Sequence, residues 1–349
     1  MRVECPHCKK TYDIPDERLP KKDEIAFPCP ACKEVMTLDL RFIHGGSADG
    51  QDRKTAQPAF PADEKPKGEA LKKRILRTVS DLPAMPQTVI RAQEIMRKPK
   101  SSFGDLAKVL ETDQAVAAKV LKLANSPYYG MMGKVSSLQH ASVVLGQKTI
   151  EELIIIAGTS GLLGGKLEGY KLDAGDLWQH SMGVAFGSKL IAEKKYPALE
   201  NDAFAAGLIH DAGKLVLDPY VIERNEAFEA VINEGQENFT TAEKRILGFD
   251  HSEIAFELCK TWNVPQALRI AIRYHHRPAR SNGNELAFIV HTADAIAMMS
   301  GMGAGLDGMQ YQVDESALEF LGFQEEDISE VMTGLVEAVQ NISVDMERP

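Results

Sequence analysis

Apolar positions change their rhythm twice along this chain. Residues 1 to about 42 hold few of them beyond Tyr12, Ile14, Leu19, Phe27 and Val35, too few to bury a core unaided. Residues 43 to 68, which include GGSADGQDRKTAQPAFPADEKPKG, lack any period and are rich in Gly, Ala, Pro, Asp and Lys. That is the composition of a flexible linker. From Glu69 onward apolar residues recur at helical spacing, as in Leu106, Val109, Leu110, Val116, Val120, Leu121 and Leu123. Pro99, Pro127, Pro197, Pro219, Pro265 and Pro278 read as helix stops, and Gly130, Gly133, Gly146 and Gly235 as loops. No sustained period-two alternation appears after the first segment, so the body is predicted to be all-α.

Three pieces are expected within that body: a bundle of short helices over 69 to 165, a histidine-bearing helical subdomain over 166 to 305, and C-terminal helices over 306 to 349. In the last, Leu318, Phe320, Leu321, Ile328, Val331, Met332, Leu335 and Val339 form an amphipathic pattern expected to dock on the second piece. A break near Glu111 to Asp113 separates two short helical patterns in the manner of a helix-turn-helix. The second pattern offers only Lys119 and Lys122 as cations, so helix packing is the preferred reading. Asn125 and Ser126 suit a cap, Pro127 a stop, and Tyr128 and Tyr129 packing between the first two pieces.

Composition narrows the classes. A chain of 349 residues with 44% hydrophobic content can bury one sizeable core and one small module. The longest apolar stretch, Leu153 to Leu163, is interrupted by Gly158, Thr159, Ser160 and Gly161, and no apolar segment follows the N-terminus, so no membrane span and a cytoplasmic location are expected. A net charge of −10 argues against wholesale binding of nucleic-acid backbones. IIIAGTSGLLGG lacks the Gly-Lys-Ser/Thr of a phosphate loop. Met131, Met132, Met298, Met299, Met302 and Met309 read as gap fillers rather than a peptide groove.

Four of five cysteines fall in the first 32 residues, as Cys5-x2-Cys8 and Cys29-x2-Cys32. Two residues between cysteines let a tight turn aim both sulfurs at one ion, and two such turns complete a tetrahedral thiolate site for Zn²⁺. His7 is expected to face solvent, and Cys259 to lie in the helical core. VECPHCKKTYDIPDERLP and FPCPACKEVM resemble the short bacterial zinc-ribbon family. A zinc held by four thiolates has no open position, so its role would be structural.

The body carries His180, His210-Asp211, His251, His275-His276 and Asp294, each in a segment of helical character: DLWQHSMGVAFGSKLIAEKK, DAFAAGLIHDAGKLVL, HSEIAFELCKTW, PQALRIAIRYHH and ELAFIVHTADAIAMM. Imidazoles and carboxylates pointing inward from several helices are what a buried metal or phosphate centre needs. Successive residues on a helix diverge by about 100°, so His210 and Asp211 can flank one cavity. The same residues also satisfy a hydrogen-bonded polar core without metal, and the pattern leaves both open. His44, His140 and His291 are read as ordinary hydrogen-bonded histidines.

LPAMPQTVIRAQEIM, LAKVLETDQAVAAKVLKLANSPYYG and SSLQHASVVLG resemble the HD-related output domain (HDOD) branch of the HD superfamily, and AGLIHDAGKLVL and IRYHH resemble the superfamily's own metal motifs. The resemblance covers about residues 75 to 300. It implies an HD-like helical domain behind a helical bundle, working as an output or protein-interaction module of bacterial signal transduction without catalysis, with other signalling proteins as partners. It also implies that His180, His210, Asp211, His251, His275, His276 and Asp294 stand where active relatives bind a divalent metal such as iron or manganese. Metal-dependent hydrolysis of a nucleotide or phosphodiester is then the alternative. Lys214 is the candidate cation for a phosphate, or else a surface lysine with its stem laid on the protein. The segment after the paired histidines reads RPARSNGNELAF, without the Gly-Tyr-Pro of the cyclic-dinucleotide phosphodiesterases.

Overall fold

The N-terminal segment, poor in apolar residues, folds as two antiparallel hairpins. In the computed structural model β1 (Arg2–Glu4) pairs with β2 (Thr11–Asp13), placing Val3 opposite Tyr12, and β3 (Glu24–Pro28) pairs with β4 (Val35–Asp39), placing Ala26 opposite Thr37. The described residues are 2–4, 10–13, 24–29, 31–32, 35–39, 67–78, 87–96, 98, 102–110, 112–129, 135–233, 238–302, 305 and 313–347. The chain divides into two compact units, Met1–Glu64 and Lys65–Pro349.

The second unit is built of helices, with an isolated antiparallel bridge between Leu167 and Leu172 in the connection ahead of Asp176. Its helices are α1 (Gly68–Thr78), α2 (Gln87–Met96), α3 (Phe103–Leu110), α4 (Gln114–Ala124), α5 (Leu138–Leu163), α6 (Asp176–Lys195), α7 (Glu200–Ile209), α8 (Gly213–Ile222), α9 (Asn225–Asn233), α10 (Phe239–Leu247), α11 (His251–Thr261), α12 (Gln266–Tyr274), α13 (Glu285–Met299), α14 (Glu315–Leu321) and α15 (Glu325–Glu347). Side-chain caps set many of the starts. Asp113, Ser137, Asn238, Asp250, Asn284 and Asp314 each accept a backbone N–H from the first turn of the helix that follows. No described helix is long and apolar enough to cross a membrane.

α6 is the hub, packed on α7, α13 and α15. Its contact with α7 is close because residue 207 is glycine: a Cβ there would lie 2.8 Å from the Val184 carbonyl oxygen and 2.9 Å from Ala185 Cα. α13 is apolar on nearly every face and is buried from Leu286 to Ala297. Tyr128 meets Phe186 of α6 edge-on at 5.0 Å, and Phe186 in turn meets Phe204 of α7 at 5.3 Å. The tyrosine pair thus packs where the sequence pattern placed it.

Several boundaries differ from the sequence expectation. Pro219 lies inside α8 rather than ending a helix. Gly146 is a kink within α5, at φ 81°, where only glycine is at ease. The break between α3 and α4 falls at 111–113 as expected, and both helices pack on α5. The tail reaches further than the second piece: α15 buries Val331, Leu335, Ala338, Val339 and Ile342 at helical spacing, packs on α6 and α4, and accepts a hydrogen bond from Ser126 Oγ at the Asn341 carbonyl, 3.2 Å. Met302 is buried and Met299 exposed, so no methionine groove forms among the described residues; Met131, Met132 and Met309 lie outside them.

Candidate metal centre

All seven histidine and aspartate positions converge within the second unit. His180 comes from the first turns of α6, His210 and Asp211 from the turn between α7 and α8, His251 from the first residue of α11, His275 and His276 from the turn after α12, and Asp294 from α13. The helices expected in these segments end just before His210-Asp211 and His275-His276. Each pair follows a helix end, and that position matters.

At a helix end the last carbonyls lack backbone partners. His210 Nδ1–H donates to the Gly207 carbonyl at 2.7 Å, and His275 Nδ1–H donates to the Ile272 carbonyl at 2.7 Å, both three residues back. One local solution is used twice. It satisfies an orphan carbonyl, fixes the tautomer, and leaves each Nε2 as a bare acceptor aimed at the cluster. Among the described residues neither Nε2 has a hydrogen-bond partner, although both are buried.

Asp211 stands at the middle. Its Oδ1 lies 3.1 Å from His251 Nε2 and 3.8 Å from His275 Nε2, while its Oδ2 lies 2.6 Å from Lys214 Nζ, 3.5 Å from His210 Nε2 and 3.7 Å from His180 Nε2. Asp294 Oδ1 is 3.2 Å from His180 Nε2 and 3.8 Å from His210 Nε2. His251 and His276 face each other Nε2 to Nε2 at 2.8 Å. Two imidazole nitrogens that close must share either a proton or an ion.

Three groups have potential ligand atoms all within 4.8 Å of one another: Asp211, His251, His275 and His276; His180, His210 and Asp211; and His210, His275 and Asp294. Asp211 is common to the first two, so its carboxylate can serve one ion or two neighbouring ions. Unpaired buried imidazole nitrogens around an anionic centre cost free energy unless something binds them. The donor set therefore fits a divalent transition metal, for which imidazole and carboxylate are suitable ligands.

The electrostatics of three of the five histidines suit that donor set, while His180 and His251 are raised. Burial pushes His210 below the ordinary histidine value, pushes His275 down to about 3, and with His275 and His251 nearby holds His276 well below it. Neutral imidazole is the ligating form. Burial opposes ionisation of Asp211 and Asp294, yet the surrounding histidines, with Lys214 beside Asp211, hold both below the carboxylate range. His251 runs the other way: burial lowers it, but Glu243 and Asp211 together raise it well above normal.

Lys214 is 5% exposed, so the surface-lysine reading is replaced by that of a buried cation fixed on Asp211. Gly213 makes this packing feasible, because a Cβ at that position would lie 2.0 Å from the His251 carbonyl oxygen. One residue escaped the sequence reading. Glu243 is fully buried, accepts His251 Nδ1–H at 2.8 Å and His251 N–H at 3.0 Å, and takes the Tyr170 hydroxyl at 2.6 Å. His291 is the hydrogen-bonded histidine that the sequence reading expected: it donates from Nδ1 to the His275 carbonyl at 2.7 Å and accepts the Asp314 N–H at 2.9 Å. It braces the loop that carries His275. His140 has no part in the cluster, and His44 lies outside the described residues.

In the first unit, Cys29 directly follows β3 and is 1% exposed, with Cys32 in the turn before β4. A Cys-x2-Cys turn closing a hairpin is the arrangement a zinc knuckle requires. Cys5, His7 and Cys8 lie between β1 and β2 in sequence but outside the described residues.

Comparison with known proteins finds a family match in each unit. Residues 82–278 match the HDOD domain and residues 1–37 match a zinc-ribbon domain. The fold resembles an HDOD domain protein of unknown function from Geobacter sulfurreducens, at TM-score 0.64 and 24% identity over 79% of this chain and 100% of that one. It also resembles a provisionally named signal transduction protein from Marinobacter aquaeolei, at TM-score 0.62 and 25% identity over 80% of this chain and 61% of that one. A provisionally named phosphohydrolase from Shewanella amazonensis gives TM-score 0.61 and 22% identity over 78% and 97%. An uncharacterized protein of Treponema pallidum is 23% identical over 202 residues, 57% of this chain and 38% of that protein's length.

Proposed function

The chain belongs to the HDOD family, related to the HD-superfamily phosphohydrolases, and from that premise we propose that it is a signal-transduction output module whose helical domain is organised around a divalent metal centre. The single observation that carries the metal reading is the pair of bare, buried Nε2 atoms of His210 and His275 beside Asp211, with their Nδ1 atoms already committed to carbonyls. A hydrogen-bonded polar core would pair these atoms. The ligand set proposed is His180, His210, Asp211, His251, His275, His276 and Asp294, with iron or manganese as the ion. Zinc in the ribbon is held by Cys5, Cys8, Cys29 and Cys32.

In this reading the chain's residues hold a rigid centre. Glu243 orients His251, the two helix-end carbonyls orient His210 and His275, and His291 steadies the following turn. Signalling partners would read the folded state that the centre stabilises. Elemental analysis of the purified full chain is the test. About one zinc per chain plus at least one further ion, with the further ion lost in Asp211→Ala, supports the proposal. Zinc alone in the unaltered protein removes the helical metal centre from it.

Hydrolysis is kept as a second reading because of Lys214. A bound divalent ion would polarise a phosphoryl oxygen. A buried ammonium 2.6 Å from the central carboxylate is placed to steady a phosphate brought to the same centre. Turnover of a phosphodiester or nucleotide that disappears in Lys214→Ala, while the metal is retained, would establish it.

A further inference from the structure

Beside the histidine cluster, a pocket of about 300 Å³ is lined by several cations. Lys244 comes from α10, Arg273 from the last turn of α12, and Arg277 and Arg280 from the segment that follows. His276 lines the same pocket, and its Nε2 is the atom 2.8 Å from His251 Nε2. The pocket and the cluster therefore share a wall.

Two acids also line it, Asp250 and Glu253, but both are engaged. Asp250 receives Lys244 Nζ at 2.6 Å and Ser252 Oγ at 2.7 Å, and caps α11 through the Glu253 N–H at 3.0 Å. Glu253 takes Arg273 at 3.3 Å and Lys72 at 3.0 Å. Arg277 and Arg280 have no acidic partner within 4.0 Å among the described residues. The lining holds four cations against two acids, a local positive excess in a chain whose net charge is −10. Arg277 and Arg280, two neighbouring guanidiniums without an acidic partner among the described residues, attract an anion to the pocket.

We propose that this pocket binds the phosphate group of a small phosphorylated ligand, with Arg277 and Arg280 as its clamp and His276 as the contact that relays occupancy to the histidine cluster. Guanidinium is the side chain suited to phosphate because its donors form a planar fork that engages two oxygens at once. The volume lies at the lower end of small-molecule sites, which favours a mononucleotide or sugar phosphate over a polymer. The inference deepens the module reading above and rests on it for what the ligand would signal; binding itself requires no catalysis and no metal.

The test is calorimetric titration of the full chain with inorganic phosphate and with adenosine 5′-monophosphate, using adenosine as the uncharged control. Three variants are compared with the parent: Arg277→Gln with Arg280→Gln, Arg280→Gln alone, and Asp211→Asn. Circular dichroism and metal content are measured on each. The expected result is saturable binding of both anions but not of adenosine, weakened about tenfold or more in the double arginine variant and about threefold in Arg280→Gln, whose exposed position spares the fold. Asp211→Asn should retain the binding. Loss in Asp211→Asn with retention in the double arginine variant would place the phosphate on the metal, overturning the pocket while leaving the metal centre intact. Absence of saturable binding to the parent, or binding unaffected by the arginines, also overturns it. Binding that follows the arginines in a protein whose helical domain carries no metal would uphold the pocket and reject the metal centre instead.

Discussion

The two metal-suited sites of this chain stand in opposite relation to their folds. In the ribbon, two hairpins of three- and five-residue strands carry the cysteines, and hairpins that short do not hold together in water by themselves. There an ion held by the cysteines would organise the chain. In the helical unit a core from Leu71 to Ile342 is in place around the cluster, and even the orientation of the imidazoles is set by backbone carbonyls and by Glu243. There the chain organises the site. The difference is one of surface: a segment with little to bury must draw its folding free energy from ligation, whereas a large core can spare buried polar atoms for a ligand.

The largest effect should come from breaking the ribbon. Zinc contributes about 10 kcal/mol or more of apparent free energy to small modules of this kind, so Cys29→Ser should unfold the hairpins outright. Helicity measured by far-ultraviolet circular dichroism should be nearly unchanged, and NMR should show collapse only for amides of residues 1 to 42. A concerted loss of helix would show that the two units do not fold separately and would end the comparison.

How legible each site was follows from the same contrast. Cysteine spacing is local, so the ribbon could be read from eight residues of sequence. The helical ligands could be listed but not assembled, because their convergence depends on α6, α7, α12 and α13 meeting across long stretches of chain. Segment DLWQHSMGVAFGSKLIAEKK coincides with α6 and ELAFIVHTADAIAMM with α13. His210-Asp211 falls in the turn that joins α7 to α8 rather than on a helix, and Gly213, two residues on, is the nearest stop signal in the sequence. Glu243 left a signal that was passed over: it occupies the apolar stripe of α10 with Phe239, Ala242 and Leu247, where a carboxylate must have a buried partner. His291 sits in a helix apolar on nearly every face, which likewise marks it as buried. Lys214 was unreadable, because a lysine after glycine on a short helix looks the same whether its ammonium meets water or a carboxylate.

A second, smaller effect is the response of the helical unit to acid once its metal has been stripped. His210, His275 and His276 are held below the ordinary value, His275 at about 3. The unfolded chain binds protons at these positions below about pH 6.5 and the folded chain does not, so stability falls as pH falls through that point towards His275's folded value. His180 and His251 have the opposite sign. They are raised, so their contribution is complete below about pH 6.5 and is lost as pH rises through their folded values. The melting temperature of the chelated helical unit should therefore peak near neutrality and drop by several degrees towards about pH 5. Bound metal should sharpen the acid limb, because protons compete directly for the ligating nitrogens. A flat profile would mean that the imidazoles titrate as they do in water and that the cluster is open to solvent.

The smallest effect tests whether the chain really does set the site in advance. Glu243→Gln keeps the size of the side chain and can still accept the Tyr170 hydroxyl, but it removes the charge that faces His251 Nδ1. If the fold alone orients the ring, metal affinity should hardly change. If the carboxylate orients the ring and raises its basicity, loss of such a partner should weaken affinity about 10- to 100-fold, with helicity and zinc content intact. Competition with a calibrated chelator measures this directly, and Glu243→Asp separates charge from reach. Recovery in the aspartate variant would assign the effect to charge. Failure there, together with failure in glutamine, would show that charge and reach are both required to hold His251 against Asp211.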